Sequence, residues 1–126
     1  MSDILISERI TGAAVDALSD DFTVATEPDL WRSPDDLRDR LAGFRALMVR
    51  NQTQVDARLI ASAPSLEVIG RAGVGTDNID LDAAKQHGVA VVYTPEQNAI
   101  SVAELVMGSM LSLARHIPAA SLHASE

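Results

Sequence analysis

The sequence predicts an α/β fold, an open parallel sheet of about five strands with helices on both faces, followed by a long apolar C-terminal helix. Two observations lead to this prediction. Short runs rich in Val, Ile and Leu alternate with amphipathic stretches about five times along the 126 residues, the pattern of repeated βα units. Most of these runs are apolar on both faces, as expected where helices cover both sides of a parallel sheet. A chain of this length fits one compact domain.

The strands and helices follow one another in order along the chain. The predicted strands are residues 4–6, 23–25, 46–49, 66–69 and 89–93, and Glu67 is the one polar residue that fits its strand poorly. The predicted helices are residues 11–18, 33–42, 56–63 and 80–87. The second helix has a strong start, because Ser33 suits the N-cap, proline suits the first turn, and two Asp residues follow at the positive end of the helix dipole. Gly43 and Gly88 stand where helices should end.

The last helix, residues 99–115, is more apolar than the others. Its polar residues, Ser101, Glu104, Ser109, Ser112 and Arg115, fall on one stripe, so most of the remaining surface is hydrophobic. We expect a second domain or a second copy of the chain to pack on this helix, and an ordinary core helix is the alternative. Residues 119–126 show no periodicity and are expected to be frayed.

Composition excludes several classes of function. The chain has 18 Asp and Glu against 10 Lys and Arg, a formal net charge of -8, which argues against nucleic acid or an anionic membrane as a partner. It has no Cys, so disulfides, thiolate nucleophiles and sulfur-containing zinc sites are excluded, and its three His residues show no metal spacing. No basic signal-peptide region or membrane-length apolar run is visible, so we expect a cytoplasmic protein.

The most informative segment is the glycine-rich stretch of residues 68–80. Gly70, Gly73 and Gly75 follow a predicted strand, where glycines allow backbone N–H groups to approach a ligand closely. The dinucleotide-binding pattern Gly-x-Gly-x-x-Gly fails because Asn78 stands at its third glycine, and no Lys-Ser/Thr follows to make a P-loop. A glycine-rich turn without a ligand is the alternative.

Two arginines stand at the ends of neighbouring predicted strands. Arg50 follows residues 46–49 and Arg71 follows residues 66–69, and Arg is suited to bidentate binding of carboxylate or phosphate. Amide side chains at matching positions, Asn51, Gln52 and Asn98, add hydrogen-bonding groups. The pattern predicts a site for a small anion, and a surface ion pair between Arg50 and Asp56 is the alternative.

Three segments together resemble a known family. They are Met48-Val-Arg-Asn-Gln-Thr, the stretch from Ile69-Gly-Arg-Ala-Gly-Val-Gly to Ala84, and Thr94-Pro-Glu-Gln-Asn-Ala-Ile-Ser-Val-Ala-Glu-Leu. These segments resemble the D-2-hydroxyacid dehydrogenases, in the right order from about residue 4 to residue 118, and the most similar subfamily is the D-3-phosphoglycerate dehydrogenases of serine biosynthesis. The resemblance implies a flavodoxin-like substrate-binding domain at residues 1–98, a helix at 99–118 that crosses to an NAD-binding Rossmann domain, and a tail at 119–126.

The resemblance also implies roles for particular residues. Arg50 and Asn51 would contact the acid substrate, and Asn98 would face it. Thr76 and Val102 would lie near the nicotinamide side of the cleft. The loop that would present backbone N–H groups to the substrate carboxylate consists of Arg71, Ala72, Gly73, Val74 and Gly75.

The family's cofactor loop and its catalytic Arg, acidic residue and His lie beyond the long helix, and the sequence contains none of them. We therefore expect no catalytic residue here, no NAD bound to this chain, and no activity from the chain alone. It would be a truncated part of an NAD-dependent oxidoreductase, and a homodimer through the long helix. The alternative is a flavodoxin-like small-anion-binding or regulatory module without catalysis.

Overall fold

The computed structural model describes residues 2–95, 98–116 and 120. The chain forms two compact units, Met1–Pro95 and Glu96–Glu126. Within the described residues the first contains five strands and four α-helices, with a 3-10 turn at Leu30–Arg32, and the second contains the helix Ala99–Ala114. The strands are β1 (Ser2–Ile6), β2 (Val24–Thr26), β3 (Phe44–Val49), β4 (Val68–Arg71) and β5 (Ala90–Tyr93), and the helices are α1 (Ala13–Asp21), α2 (Pro34–Leu41), α3 (Ala57–Ala61), α4 (Leu81–Gln86) and α5 (Ala99–Ala114).

The five strands form one sheet in the order β2-β1-β3-β4-β5, and every neighbouring pair is parallel. The predicted five-stranded parallel α/β sheet is confirmed. The connection from β1 to β2 runs in one direction across the sheet, and those from β3 to β4 and from β4 to β5 run in the other. Because parallel crossovers are right-handed, α1 lies on one face of the sheet and α2, α3 and α4 lie on the opposite face. The direction in which successive strands are added to the sheet therefore reverses between β1 and β3.

The main core lies on the face that carries α2, α3 and α4. Leu5, Leu47 and Ile69 stand in register on neighbouring strands and point to this face. They pack in one cluster with buried side chains of the three helices, among them Leu41 and Ile60. All five are almost fully buried. Removal of these side chains from water explains why the central strands are apolar at these positions.

Most predicted elements differ from the observed ones by up to three residues at an end, and β4 and α2 are the informative cases. β4 begins at Val68 rather than at residue 66, and Glu67 lies just outside it, where its carboxylate accepts two 3.0 Å hydrogen bonds from Arg45. Ser33 occupies the N-cap position of α2, but its side chain makes no capping hydrogen bond.

Carboxylates supply the caps of the next two helices. Asp56 accepts from the N–H of Leu59 at 2.8 Å, and Asp80 accepts from the N–H of Ala83 at 2.9 Å. Each fills the N-cap position of its short helix, α3 or α4.

The second unit consists of α5 within the described residues. Its large apolar side chains are mostly exposed, with Ile100 at 76% and Leu113 at 72%. The covering of this helix by another domain or copy stays a prediction. Within the part of the chain that the structure describes, no helix is both long and apolar enough to cross a membrane. The expected frayed tail, residues 119–126, lies outside the described residues except for Ala120.

Candidate functional site

The candidate site lies at the carboxyl edge of the sheet. In a parallel sheet all strands end at the same edge, so three loops meet there. They are residues 7–12 after β1, residues 50–56 after β3 and residues 72–80 after β4. The second and third loops are joined by two backbone hydrogen bonds, from Val55 N–H to Asn78 O at 2.8 Å and from Asp80 N–H to Val55 O at 2.9 Å.

The second and third loops border a polar cavity of about 350 Å³. Its lining residues are Asn51, Gln54, Arg71, Asp77 and Asn78. Two of the predicted substrate contacts, Asn51 and Arg71, are therefore brought together, although Arg71 ends β4 rather than following it. Sequence reasoning missed Gln54, Asp77 and Asn78 as lining residues, because none of them stands directly after a strand.

Arg71 and Gly73 are packed against each other. The Arg71 side chain folds back over the loop, and a Cβ atom added to Gly73 would overlap its guanidinium. Gly73 also has a φ of +156°, which disfavours a side chain. The Nε of Arg71 is enclosed and has no hydrogen-bond partner among the described residues. Gly73 is thus required by the conformation of Arg71, whose Nη1 donates to the carbonyl oxygen of Ala72 at 3.5 Å.

The backbone amides of the glycine-rich loop divide into two groups. The N–H of Ala72 donates to Val49 O at 2.8 Å, and the N–H of Gly73 donates to Arg71 O at 2.9 Å. These two amides are already used within the protein. Of residues 72–76, the backbone amides of Val74, Gly75 and Thr76 make no hydrogen bond to another described residue. The latter three can donate to an anion.

Arg50 extends from the loop after β3 and is exposed. Within the described residues Arg50 forms no ion pair, so the alternative of a surface pair with Asp56 is not observed. Asp56 instead caps α3. Arg50 does not line the 350 Å³ cavity, which lies beside its neighbour Asn51.

A buried carboxylate organises the Arg50 loop, and sequence reasoning missed it. Glu8 is 1% exposed, and its Oε1 accepts from the backbone N–H groups of Arg50 at 2.9 Å, Gln52 at 3.2 Å and Thr53 at 2.8 Å. Burial raises the pKa of Glu8, but the hydrogen bonds from these three residues outweigh burial and hold its pKa below the usual value. The carboxylate is therefore charged at neutral pH.

Asn78 holds the same loop from the other side. Its Nδ2 donates to the carbonyl oxygens of Arg50 at 2.7 Å and Thr53 at 2.8 Å, and the residue is 9% exposed. The hydroxyls of Ser7 and Thr53 also hydrogen-bond at 2.9 Å. Both side chains, Glu8 and Asn78, therefore bind the backbone of the loop that carries Arg50 and Asn51.

The remaining predicted residues lie in different places. Thr76 is half-buried in the loop after β4, and its carbonyl accepts from the N–H of Ile79 at 3.0 Å. Asn98 and Val102 belong to the second unit, where the carbonyl of Asn98 accepts from the N–H of Val102 at 2.9 Å. Their roles facing substrate and nicotinamide stay predictions. Among the described residues no group of three His, Asp or Glu side chains could hold a metal ion.

A second cavity, of about 240 Å³, lies between the starts of α2 and α3. Its walls include Trp31, Pro34, Leu37 and Leu59, and its Arg38 is already paired with Asp35. It contains none of the predicted site residues, so the cavity beside Arg71 is the better candidate for an anion.

Comparison with known proteins agrees with the fold. The family model of the D-isomer specific 2-hydroxyacid dehydrogenase catalytic domain matches residues 4–124. The chain belongs to this family. The resemblance carried by the segments around Arg50, Gly73 and Asn98 is confirmed at the level of the family.

Individual relatives cover the chain but are much longer. D-3-phosphoglycerate dehydrogenase of Archaeoglobus fulgidus is 41% identical over 123 residues, which is 98% of this chain and 23% of that protein. (S)-sulfolactate dehydrogenase of Chromohalobacter salexigens is 44% identical over 115 residues, 91% of this chain and 37% of that protein. The crystal structure of NAD+-bound 3-phosphoglycerate dehydrogenase from Entamoeba histolytica superposes with a TM-score of 0.67 at 26% identity, covering 89% of this chain and 39% of that one. The chain thus spans less than half of each relative's length.

The glycine-rich loop of this chain does not fit a dinucleotide such as the NAD+ in the Entamoeba histolytica structure. A dinucleotide pyrophosphate needs a free helix N-terminus directly after its glycines. Here the next helix, α4, begins at Leu81, six residues after Gly75, and its first turn is already capped by Asp80. The described loop therefore lacks the free helix N-terminus that a dinucleotide pyrophosphate needs.

Proposed function

We propose that residues 1–98 form the substrate-binding domain of an NAD-dependent D-2-hydroxyacid dehydrogenase that acts on 3-phosphoglycerate. The observation that carries the proposal is the cavity at the carboxyl edge, where Arg71 and Asn51 meet in a chain of this family. An acidic chain with a net charge of -8 places guanidinium groups at the ends of two neighbouring strands, Arg50 after β3 and Arg71 at the end of β4.

The chemistry of these groups suits an acid with two anionic ends. The amides of Val74, Gly75 and Thr76 would donate to the substrate carboxylate, and Arg71 would add a charge-assisted hydrogen bond. Arg50, exposed at the rim, would bind the distal phosphate. Phosphoglycerate and sulfolactate, the acids in two relatives' names, each combine a 2-hydroxycarboxylate with a second anion. We infer that a phosphate or sulfonate is part of the recognised substrate.

Hydride transfer would require groups that this chain does not supply. NAD would be held by a Rossmann domain outside these 126 residues, with Thr76 and Val102 toward the nicotinamide side and Asn98 toward the substrate. We propose that the chain by itself is inactive. Mixed with NAD+ and 3-phosphoglycerate, it should produce no NADH absorbance, and a turnover signal would overturn this part of the proposal.

The exposed apolar surface of α5 supports a further part of the proposal. This helix would pack against the cofactor domain in a longer protein, or against a second copy of the chain in its absence. Size-exclusion chromatography with light scattering should give the mass of a dimer for the chain alone. A clean monomer would contradict the homodimer.

The substrate assignment is tested by titrating the isotope-labelled chain with 3-phosphoglycerate and recording its amide NMR spectrum. Shifts should be confined to residues 50–54, 71–78 and 98, and D-glycerate, which lacks the phosphate, should bind more weakly. Arg71→Ala should weaken binding at least about tenfold, the size expected for one lost hydrogen bond to a charged group. Arg58→Ala removes an exposed arginine elsewhere and should leave affinity unchanged. Equal losses in both variants, or no shifts, would refute the assignment.

A further inference from the structure

Doubly wound parallel sheets bind ligands at one place in particular. Where the strand order reverses, the loops on either side diverge and leave a crevice at the carboxyl edge. In this chain the reversal lies between β1 and β3. The crevice is therefore expected between residues 7–12, after β1, and residues 50–56, after β3.

That crevice is closed by the protein's own side chains. The Glu8 carboxylate reaches from the end of β1 across to the loop after β3, where three backbone N–H groups, of Arg50, Gln52 and Thr53, donate to it. The fully buried hydroxyls of Ser7 and Thr53 bridge the same gap at 2.9 Å. Three converging amides are the kind of cradle that binds an external anion in other proteins. Here an internal anion fills it.

The open cavity lies one strand further along the sheet than the closed crevice. The 350 Å³ cavity lies beside β3 and β4, with Arg71 and Asn51 in its walls. The loop that separates the filled crevice from the open cavity is held from both sides, by Glu8 through its N–H groups and by Asn78 through its carbonyl groups. Among the described residues no cation pairs with Glu8, so hydrogen bonds from residues 50–53, most of them from backbone N–H groups, compensate its charge.

We propose that Glu8 is a positioning residue, an internal anion that occupies the switch-point crevice and thereby holds the loop of residues 50–53 in its substrate-binding shape. It touches no substrate and acts through Arg50 and Asn51. The role in binding rests on the proposed function, whereas the role in ordering the loop does not. The first experiment therefore needs no ligand.

Hydrogen exchange of the backbone amides tests the ordering role in the full chain. Glu8→Ala should speed exchange of the Gln52 and Thr53 amides at least about tenfold, because each loses a charge-assisted hydrogen bond. Glu8→Gln keeps one oxygen acceptor and should give a smaller increase in the exchange rate. If Glu8→Ala does not fold, the exchange rates of Glu8→Gln test the ordering role by themselves. Glu67→Gln makes the same chemical change at the opposite edge of the sheet, on an exposed carboxylate, and should leave these amides unchanged.

Affinity for 3-phosphoglycerate then separates positioning from general stability. Glu8→Ala should weaken binding at least about tenfold, with Glu8→Gln in between. Phe44→Leu destabilises the core at the amino end of β3, far from the loop, and should leave affinity unchanged. Phe44→Leu lowers stability without changing the loop. If it weakens binding of 3-phosphoglycerate as much as Glu8→Ala does, the positioning role of Glu8 is overturned.

Two results decide against the proposal. Unchanged exchange at Gln52 and Thr53 in a folded Glu8→Ala chain would show that the loop needs no internal anion. Faster exchange spread equally over the strands would show a merely global effect. If the unsubstituted chain does not bind 3-phosphoglycerate, the proposed function fails, and the exchange experiment still decides whether Glu8 orders the loop.

Discussion

Asn78→Asp changes a single chemical group at a position where the structure allows a quantitative prediction. The substitution keeps the shape of the side chain and replaces its NH2 group with a carboxylate oxygen. In the protein that NH2 group donates to Arg50 O at 2.7 Å and to Thr53 O at 2.8 Å. The variant would place a negative charge against two carbonyl oxygens that lose their donor, in a residue only 9% exposed.

The cost follows from these two contacts. Each hydrogen bond contributes about 0.5–1.5 kcal/mol net, and leaving a buried acceptor unpaired costs about 1–3 kcal/mol. For two partly buried carbonyls we expect the free energy of unfolding to fall by about 2–4 kcal/mol at neutral pH. Protonation of the new carboxyl would restore one donor, so its folded-state pKa should be raised. The deficit is then largest at neutral pH and shrinks as the pH falls through that pKa.

Urea unfolding followed by far-ultraviolet circular dichroism measures the effect, at neutral pH and near pH 5. Asn51→Asp is the matched control, because Asn51 is exposed in the same region and its side chain makes no hydrogen bond within the described residues. It should change stability by less than about 0.5 kcal/mol. Equal effects of the two variants, or an Asn78→Asp deficit that does not shrink with falling pH, would refute the reasoning.

Three further predictions follow from named contacts. Gly73→Ala should displace the Arg71 guanidinium and weaken binding of 3-phosphoglycerate in the amide titration, while Gly70→Ala, with open space at its Cβ position, serves as control. The lowered pKa of Glu8 stabilises the fold above the unfolded value of about 4.3, and this contribution is lost as the pH falls through the folded pKa. Urea midpoints of the unsubstituted chain and Glu8→Gln should therefore converge in acid, and parallel curves would contradict the assignment. Leu47→Ala, at a position 1% exposed, should cost about 2–5 kcal/mol in urea unfolding, and a loss under 1 kcal/mol would contradict its place in the core.

The strands were predictable because each carries its own signal. A strand buried on both faces must be apolar at successive positions, as around Leu47 and Ile69, so a local window contains most of the information. Element ends were less predictable. Ser33 has the right chemistry for a cap yet makes no capping hydrogen bond, while Asp56 and Asp80 do cap. Capping depends on the backbone angle at which the chain enters the helix, which the residue type does not determine.

The candidate site was predictable to the extent that it follows strand ends. Arg71 and Asn51 stand at the ends of neighbouring strands, so parallel pairing brings them to one edge. Glu8 was not predictable in this way, because its partners lie 42 to 45 residues further along the chain. Its position after a buried strand resembles that of any loop carboxylate. Only the order of the strands shows that the end of β1 faces the loop after β3.

The strand order therefore explains both the closed crevice and the open cavity. A sheet with order β2-β1-β3-β4-β5 has a single reversal, and the amides that converge there must be paired with something. Glu8 pairs them from within the chain, which removes that crevice as a ligand site and rigidifies its far wall. In the adjacent loop after β4, the amides of Val74, Gly75 and Thr76 and the Nε of Arg71 have no partner among the described residues. Unpaired donors beside a rigid wall are what an anionic substrate requires, so the filled crevice accounts for the position of the proposed binding site.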